Sequence, residues 1–329
     1  MNEEYDPEAE ERNLEEHWDE LEEGYLDSYL VSGVEDPRIN VQSILTRSLI
    51  ADWLWPGEFS GLVDEELRFG AVMTWVLRRL QAGWQPAELL RHIRENRDCP
   101  DAVHRLYSAL EDGGSGVPNY ISAALSRPGE GAHIPRPALN VFRGAWQEAL
   151  QGREAEPFSV LEPACGSAND YRSIHGRGLA DYIHYSGFDI APANIRNASE
   201  RFPGVDFFVD SIMDCGVEDD SYDCAFVHDV FEHLSVPAMR DALAEVCRTT
   251  RREAWLHFFN AEDRAEHRVK PVEDYYRNLL SVPRLVESLE ELGREVQVIA
   301  IPRLLEEKFG LGGCYYNQQA VTLLAAEPE

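Results

Sequence analysis

From about residue 157 onward, short apolar runs alternate with amphipathic stretches, and this alternation limits the fold more than any other feature of the chain. FSVLEP is a buried run that leads into a turn, ACGSA, and a helix start. YSGFDI (185–190), VDFFVD (205–210), YDCAFVHDV (222–230) and AWLHFF (254–259) are four further short apolar runs. Helical spacing fills 192–201, 236–250 and 282–292. Ser235 and Ser281 each precede Val-Pro, which suits an N-cap serine with proline in the first turn. EVQVIAI (295–301) and QAVTLLAA (319–326) read as two closing strands without a long helix between them. Strands alternating with helices predict a parallel sheet with right-handed crossovers, and the closing pair predicts one antiparallel strand.

The first half has a different character. Residues 1–24 carry twelve carboxylates and one arginine. Within that stretch Leu14, Trp18 and Leu21 recur at helical spacing, so a helix from about residue 8 is expected. From 38 to 150 the pattern is helical, with Val72, Val76 and Leu80 on one face beside Met73 and Leu77. Pro56-Gly57, Gly83, Gly113-Gly114 and Pro128-Gly129 punctuate it. The expected organisation is an acidic segment (1–24), a helical domain (25–152) and an α/β domain (153–329), joined near the polar stretch QGREAE.

Sixty acidic against thirty basic residues give a formal charge of -30. Such a surface repels phosphate backbones and anionic lipid, which argues against duplex nucleic acid and membrane surfaces as partners. No apolar run approaches the length of a membrane-spanning helix. The start, MNEEYDPEAEE, has no apolar core of a secretory signal. Six scattered cysteines without C-x-x-C read as reduced thiols rather than a metal site. These features predict a cytoplasmic protein without a bound metal, and they leave homo-oligomerisation open.

In an open α/β sheet, ligands bind beyond the carboxyl ends of the strands. The first strand ends in Glu162, followed by the small residues Ala164 and Gly166, which let a ligand approach the backbone closely. Glu162 would repel a pyrophosphate and suit a cationic ligand. The second strand ends in Asp189-Ile190, where a carboxylate is placed to accept from both ribose hydroxyls of an adenosine. The third ends in Asp210-Ser211-Ile212, an acid for an exocyclic amine followed by backbone N–H groups for a ring nitrogen. The fourth ends in His228 and runs on to Glu232-His233-Leu234.

Taken together, LEPACGSA, GFDI, VDSI and SYDCAFVHDVFEHL resemble, in order and spacing, the motifs of the class I S-adenosylmethionine-dependent methyltransferases. The resemblance covers about the C-terminal half. Ala164 and Ala168 stand where the family's outer glycines would be. It implies a Rossmann-like, seven-stranded, mostly parallel sheet of order 3-2-1-4-5-7-6, with S-adenosylmethionine as cofactor and S-adenosylhomocysteine as product. It implies cofactor contacts at Glu162, Ala164, Gly166, Asp189, Ile190, Asp210, Ser211, Ile212 and His228. A dehydrogenase on the same sheet would want G-x-G-x-x-G at the first turn for its pyrophosphate, and that pattern is absent here.

Methyl transfer asks the protein mainly to align acceptor and methyl. A hydroxyl acceptor also benefits from a base, and His228, His233 and His257 are the candidates. The expected activity is methyl transfer to a small molecule, with oxygen favoured. The alternatives are a protein or RNA acceptor, or a catalytically silent subunit whose helical region binds a partner. Two additions to the sheet are expected to cover the acceptor: the helical region and the segment 261–281. Arg264, His267, Arg268 and Lys270 make the latter locally basic, which would suit an anionic acceptor or be simply solvated charge.

Overall fold

The computed structural model describes residues 5–16, 36–111, 141–272 and 275–328. Trp18, Leu21, Gly113-Gly114 and Pro128-Gly129 lie outside them, as does the expected boundary near residue 24. Helix α1 spans 7–16. Then come α2 (Val41–Leu54), α3 (Ser60–Gln81), α4 (Pro86–Glu95), α5 (Asp101–Glu111) and α6 (Val141–Leu150). Asn40 caps α2 by accepting from the backbone N–H groups of Gln42 and Ser43. The apolar face expected on α3 is the buried one, with Val72, Met73, Val76 and Leu77 inside. Gly70 lets α3 cross the start of α2, because a Cβ there would sit 2.5 Å from the Ile39 carbonyl oxygen.

The second half runs β1 (Phe158–Pro163), α7 (Asn169–Gly176), β2 (Ile183–Asp189), α8 (Pro192–Arg201), β3 (Asp206–Val209), β4 (Tyr222–His228), α9 (Val236–Thr249) and β5 (Thr250–Phe258). Four two-residue strands follow, β6 (Ala261–Glu262), β7 (Pro271–Val272), β8 (Tyr275–Tyr276) and β9 (Leu280–Ser281). The chain then closes with α10 (Val282–Glu291), β10 (Glu295–Ala300), α11 (Ile301–Phe309) and β11 (Val321–Ala326). Ser235 and Ser281 cap α9 and α10 as expected, accepting from Ala238 N–H and Arg284 N–H.

The main sheet has the order β3-β2-β1-β4-β5-β11-β10. Numbered within this sheet alone, that is 3-2-1-4-5-7-6. β11 runs antiparallel to both β5 and β10, and the other pairings are parallel. One expectation changes. The last two strands are separated by a nine-residue helix, α11, which takes up Ile301 from the apolar run EVQVIAI. Pro302 in its first turn ends the strand there.

Strand residues alternate between two cores. On one face Val160, Phe226, Trp255 and Leu324 join the packing of α2, α3 and α6. On the other, Leu161, Val227, Leu256 and Leu323 pack with α9 and α10. The N-terminal helices therefore share a continuous apolar core with the sheet. A buried ionic cluster ties the same junction together. Glu66 of α3 accepts from Arg47 of α2 at 2.8 Å, from Arg177 after α7 at 2.6 Å and from the Trp146 indole of α6 at 2.9 Å. Burial alone would raise the Glu66 pKa, but the two guanidinium groups outweigh it and hold the carboxyl below its usual range. Among the described residues no helix is long and apolar enough to cross a membrane.

Candidate active site

The turn after β1 takes the shape a glycine-rich turn would take. Ala164, Gly166 and Ala168 have φ of 55°, 53° and 61°. Two alanines thus occupy the left-handed region, at a cost of about 1–2 kcal/mol each. A Cβ on Gly166 would meet nothing within 4 Å, so the backbone there faces open space. Beneath the turn the packing is tight, since a Cβ on Gly187 of β2 would lie 2.7 Å from the Tyr185 hydroxyl.

Asp189, at the end of β2, reaches back to this turn. It accepts from Gly166 N–H, Ala191 N–H and the Asn194 side-chain amide, each at 2.9 Å. These bonds fix a carboxylate at the rim, beside the turn. Asp210 folds onto its own loop, accepting from Ser211 N–H and Gly216 N–H. Glu162 is buried and accepts from the Tyr185 hydroxyl. Burial first, then the charge of Asp170, pushes its carboxyl well above the usual range.

A cavity of about 240 Å³ runs along this rim. Glu162, Ala164, Gly166, Asp189, Ile190, Asp210, Ser211, Ile212, His228 and His233 all line it, so ten of the eleven residues singled out from the sequence meet on one wall. The exception is His257, which is fully buried one strand away. Its Nε2 lies 2.9 Å from the Thr46 hydroxyl and its Nδ1 lies 2.8 Å from the Thr322 hydroxyl. The pKa values of the two histidines on the wall shift in opposite directions. Burial lowers the pKa of His228, with Asp170 and Asp229 opposing only in part. Burial also disfavours the charged form of His233, but Asp229, 3.6 Å away, and Glu232 reverse the balance and raise its pKa.

Several lining residues were not legible beforehand. Asp36, Pro37, Asn40 and Ser43, at the entry to α2, form part of the wall. Asp170 lies opposite His228, its carboxylate 3.9 Å from Nδ1. Leu14 of α1 is buried in the core cluster that includes Phe188, Ile212 and Met213, and the flanking acids anchor the helix. Glu11 accepts from the Ser211 hydroxyl at 2.6 Å, and Glu10 accepts from Ser235 N–H at 2.7 Å. Asn40 and Asp170 are far apart in the sequence, and nothing local to either placed them on one cavity.

The segment 261–281 contributes none of the lining. It folds on itself through the β7–β8 ladder and through reciprocal backbone bonds between Arg268 and Leu279. It buttresses His233 from behind, the Tyr276 carbonyl oxygen lying 3.2 Å from Nδ1. Arg264 is paired with Glu262 rather than aimed into the cavity. Of the two expected covers, the helical region is the one that reaches the wall. Among the described residues the lining holds six carboxylates and neither lysine nor arginine.

Residues 160–253 match a family model described as a methyltransferase domain. No curated protein matches the chain. Similar solved structures include an S-adenosylmethionine-dependent methyltransferase from Methanosarcina mazei, 16% identical over 54% of this chain and 96% of that one, with a TM-score of 0.40. Another comes from Mesorhizobium loti, 12% identical over 56% of this chain and 96% of that one, also at 0.40. A third is 1,6-didemethyltoxoflavin-N1-methyltransferase of Burkholderia thailandensis, with bound 1,6-didemethyltoxoflavin and S-adenosylhomocysteine. It is 15% identical over 74% of this chain and 91% of that one, at 0.40. At these identities and scores none of the three speaks to the acceptor. The family match, the strand order and the acid-ended strands all fall in one half of the chain, and residues 160–253 are a methyltransferase domain built on a Rossmann-like sheet.

Proposed function

We propose that the chain methylates a small molecule at a hydroxyl group, with His228 as the general base. The observation that carries this reading is a histidine with a carboxylate beside it in the cavity lining. Asp36, Pro37, Asn40 and Ser43 join Asp170 and His228 in bounding a cavity of about 240 Å³, which favours a small acceptor. Bound S-adenosylmethionine would supply an electrophilic methyl and leave as a neutral thioether. The residues present suit it: the open backbone at Gly166, the carboxylate of Asp189 for the ribose, and Asp210 with the N–H groups of Ser211 and Ile212 for the adenine edge. Glu162 lies on the same wall, where a cationic group is favoured over a phosphate.

On the acceptor side, the pKa values separate the histidines. Burial lowers the pKa of His228, which leaves the ring free to take a proton near pH 7, whereas Asp229 and Glu232 raise that of His233. As the acceptor hydroxyl gives up its proton on methylation, His228 Nδ1 would take that proton. The new imidazolium then lies beside the Asp170 carboxylate, which offsets its charge. Residues 36–43 exclude water from this step and hold the acceptor in line.

The test is to incubate cell extract with methyl-labelled S-adenosylmethionine and wild-type or His228→Gln protein. The expected label is in small molecules, and it drops by roughly 100-fold or more in the variant. Label in protein or RNA, or undiminished transfer by His228→Gln, contradicts the proposal.

A further inference from the structure

Three strands place three polar side chains in one row. Thr322 of β11 pairs in register with His257 of β5, and His257 pairs with His228 of β4. All three lie on the face covered by α2, and Thr46 of α2 closes the row from above. Its hydroxyl oxygen is 3.0 Å from His228 Nε2, 2.9 Å from His257 Nε2 and 3.2 Å from the Gln42 carbonyl oxygen. Thr46, His257 and Thr322 are fully buried, so water does not complete these contacts.

The proton inventory decides the arrangement. A threonine hydroxyl has one proton to donate and two lone pairs to accept with. The Gln42 carbonyl can only accept. If all three contacts are hydrogen bonds, the Thr46 proton goes to Gln42 and both imidazoles donate from Nε2. Giving the Thr46 proton to either ring instead leaves the Gln42 contact as two facing acceptors. His257 then accepts at Nδ1 from the Thr322 hydroxyl, which agrees with the 2.8 Å separation. His228 is left with an unprotonated Nδ1 on the cavity side, 3.9 Å from Asp170.

We infer that Thr46 is a positioning residue that holds His228 in its Nε2–H tautomer and so keeps the basic Nδ1 lone pair facing the acceptor. This inference rests on the reading of His228 as the base. It assigns the N-terminal helical region a part in proton transfer as well as in covering the site. Without the Thr46 hydroxyl, the neutral ring can turn its proton to Nδ1, where Asp170 attracts it and the lone pair is lost to catalysis. The charged and titratable groups around the ring are Asp170 of α7, Asp229 next along the chain, Arg47 of α2 and His257 of β5.

Ring-nitrogen NMR on the full-length protein, labelled at its histidines, reads the tautomer directly. Spectra of His228→Gln and His257→Gln assign the two rings. The wild type is expected to show protonated Nε2 and unprotonated Nδ1 for His228 at neutral pH. Thr46→Ser should retain this, and Thr46→Val should shift His228 to the other tautomer or a mixture. S-adenosylhomocysteine titrated into the wild type and the two Thr46 variants should bind all three within about threefold, since Thr46 is not on the cavity wall. A wild-type His228 protonated at Nδ1, or an unchanged His228 spectrum in a folded Thr46→Val, overturns the inference. Should Thr46→Val fail to fold, the wild-type and Thr46→Ser spectra still decide it. Loss of label transfer in Thr46→Val with recovery in Thr46→Ser supports the link to catalysis. A correct tautomer beside undiminished transfer by His228→Gln shows instead that the base assignment is at fault.

Discussion

The two ends of the cavity are built in different ways. The cofactor end is local. Its acids stand at the ends of their own strands, and Asp189 and Asp210 are held by backbone N–H groups within their own loop or the neighbouring one. The acceptor end is assembled from distant pieces. Asn40 and Thr46 come from one helix and its cap, Asp170 from the first turn of α7, and His228 from β4. It depends on how helices dock against the sheet, and hence on the Glu66 cluster and the core shared by Trp255, Phe226 and α2. A change in the docking should damage the acceptor end and spare the cofactor end.

The largest expected effect breaks that docking. Glu66→Gln leaves two buried guanidinium groups without a counter-charge and should cost about 3–5 kcal/mol of stability. Chemical denaturation of wild type and variant measures it. A loss below about 1 kcal/mol would mean that the cluster does not hold the helices in place.

The row of histidines sets the next effect, which is a dependence on pH. Burial lowers the pKa of His228 and lowers that of His257 well below its usual value. In the window below about pH 6.5 the unfolded chain therefore binds more protons than the folded one. Stability is complete above that pH and falls as the pH drops through the window. Unfolding followed across this range should show a shallower decline in His257→Gln. A wild-type curve that is flat from pH 7 to pH 5 would contradict the buried, neutral pair.

At the cofactor end the expected effects are smaller. Leu14→Ala removes a buried apolar side chain that lines the cavity beside Ile212. Removing its buried methyl groups should weaken S-adenosylhomocysteine binding by about tenfold, corresponding to roughly 1–2 kcal/mol. Unchanged affinity would show that α1 does not act as a cover. The smallest effect concerns the turn itself. Ala164→Gly relieves a left-handed alanine and adds unfolded-state entropy, so it should stabilise the protein by at most about 1 kcal/mol. Destabilisation by more than that would mean the Ala164 methyl makes a contact that outweighs its strain.

The same division explains what could be read from the chain. Strand ends follow from apolar runs and the residues that stop them, so Glu162, Asp189, Asp210 and His228 were found, and the strand order followed from the motifs they carry. The helix IPRLLEEKF was not expected because it is only nine residues long, and its first residue, Ile301, was counted with the strand because it continues an apolar run. The segment 261–281 looked like a cover because it is long and basic, but its bonds turn inward on itself. Thr46 carried no signal, because its partners at 228, 257 and 322 become neighbours only through strand register. His257 was named a candidate base because it lies near the end of β5. Its side chain instead points into the covered face, where two hydroxyls take both ring nitrogens.

The central claim is that the sheet rim holds the adenosyl group of the cofactor with Asp189 on its ribose. Titration calorimetry with S-adenosylhomocysteine tests it most directly. The wild type should bind one equivalent with micromolar affinity, and Asp189→Ala should lose about 100-fold or more, in line with charge-assisted hydrogen bonds of about 1.5–3 kcal/mol each. No binding by the folded wild type, or equal binding by Asp189→Ala, would contradict the account.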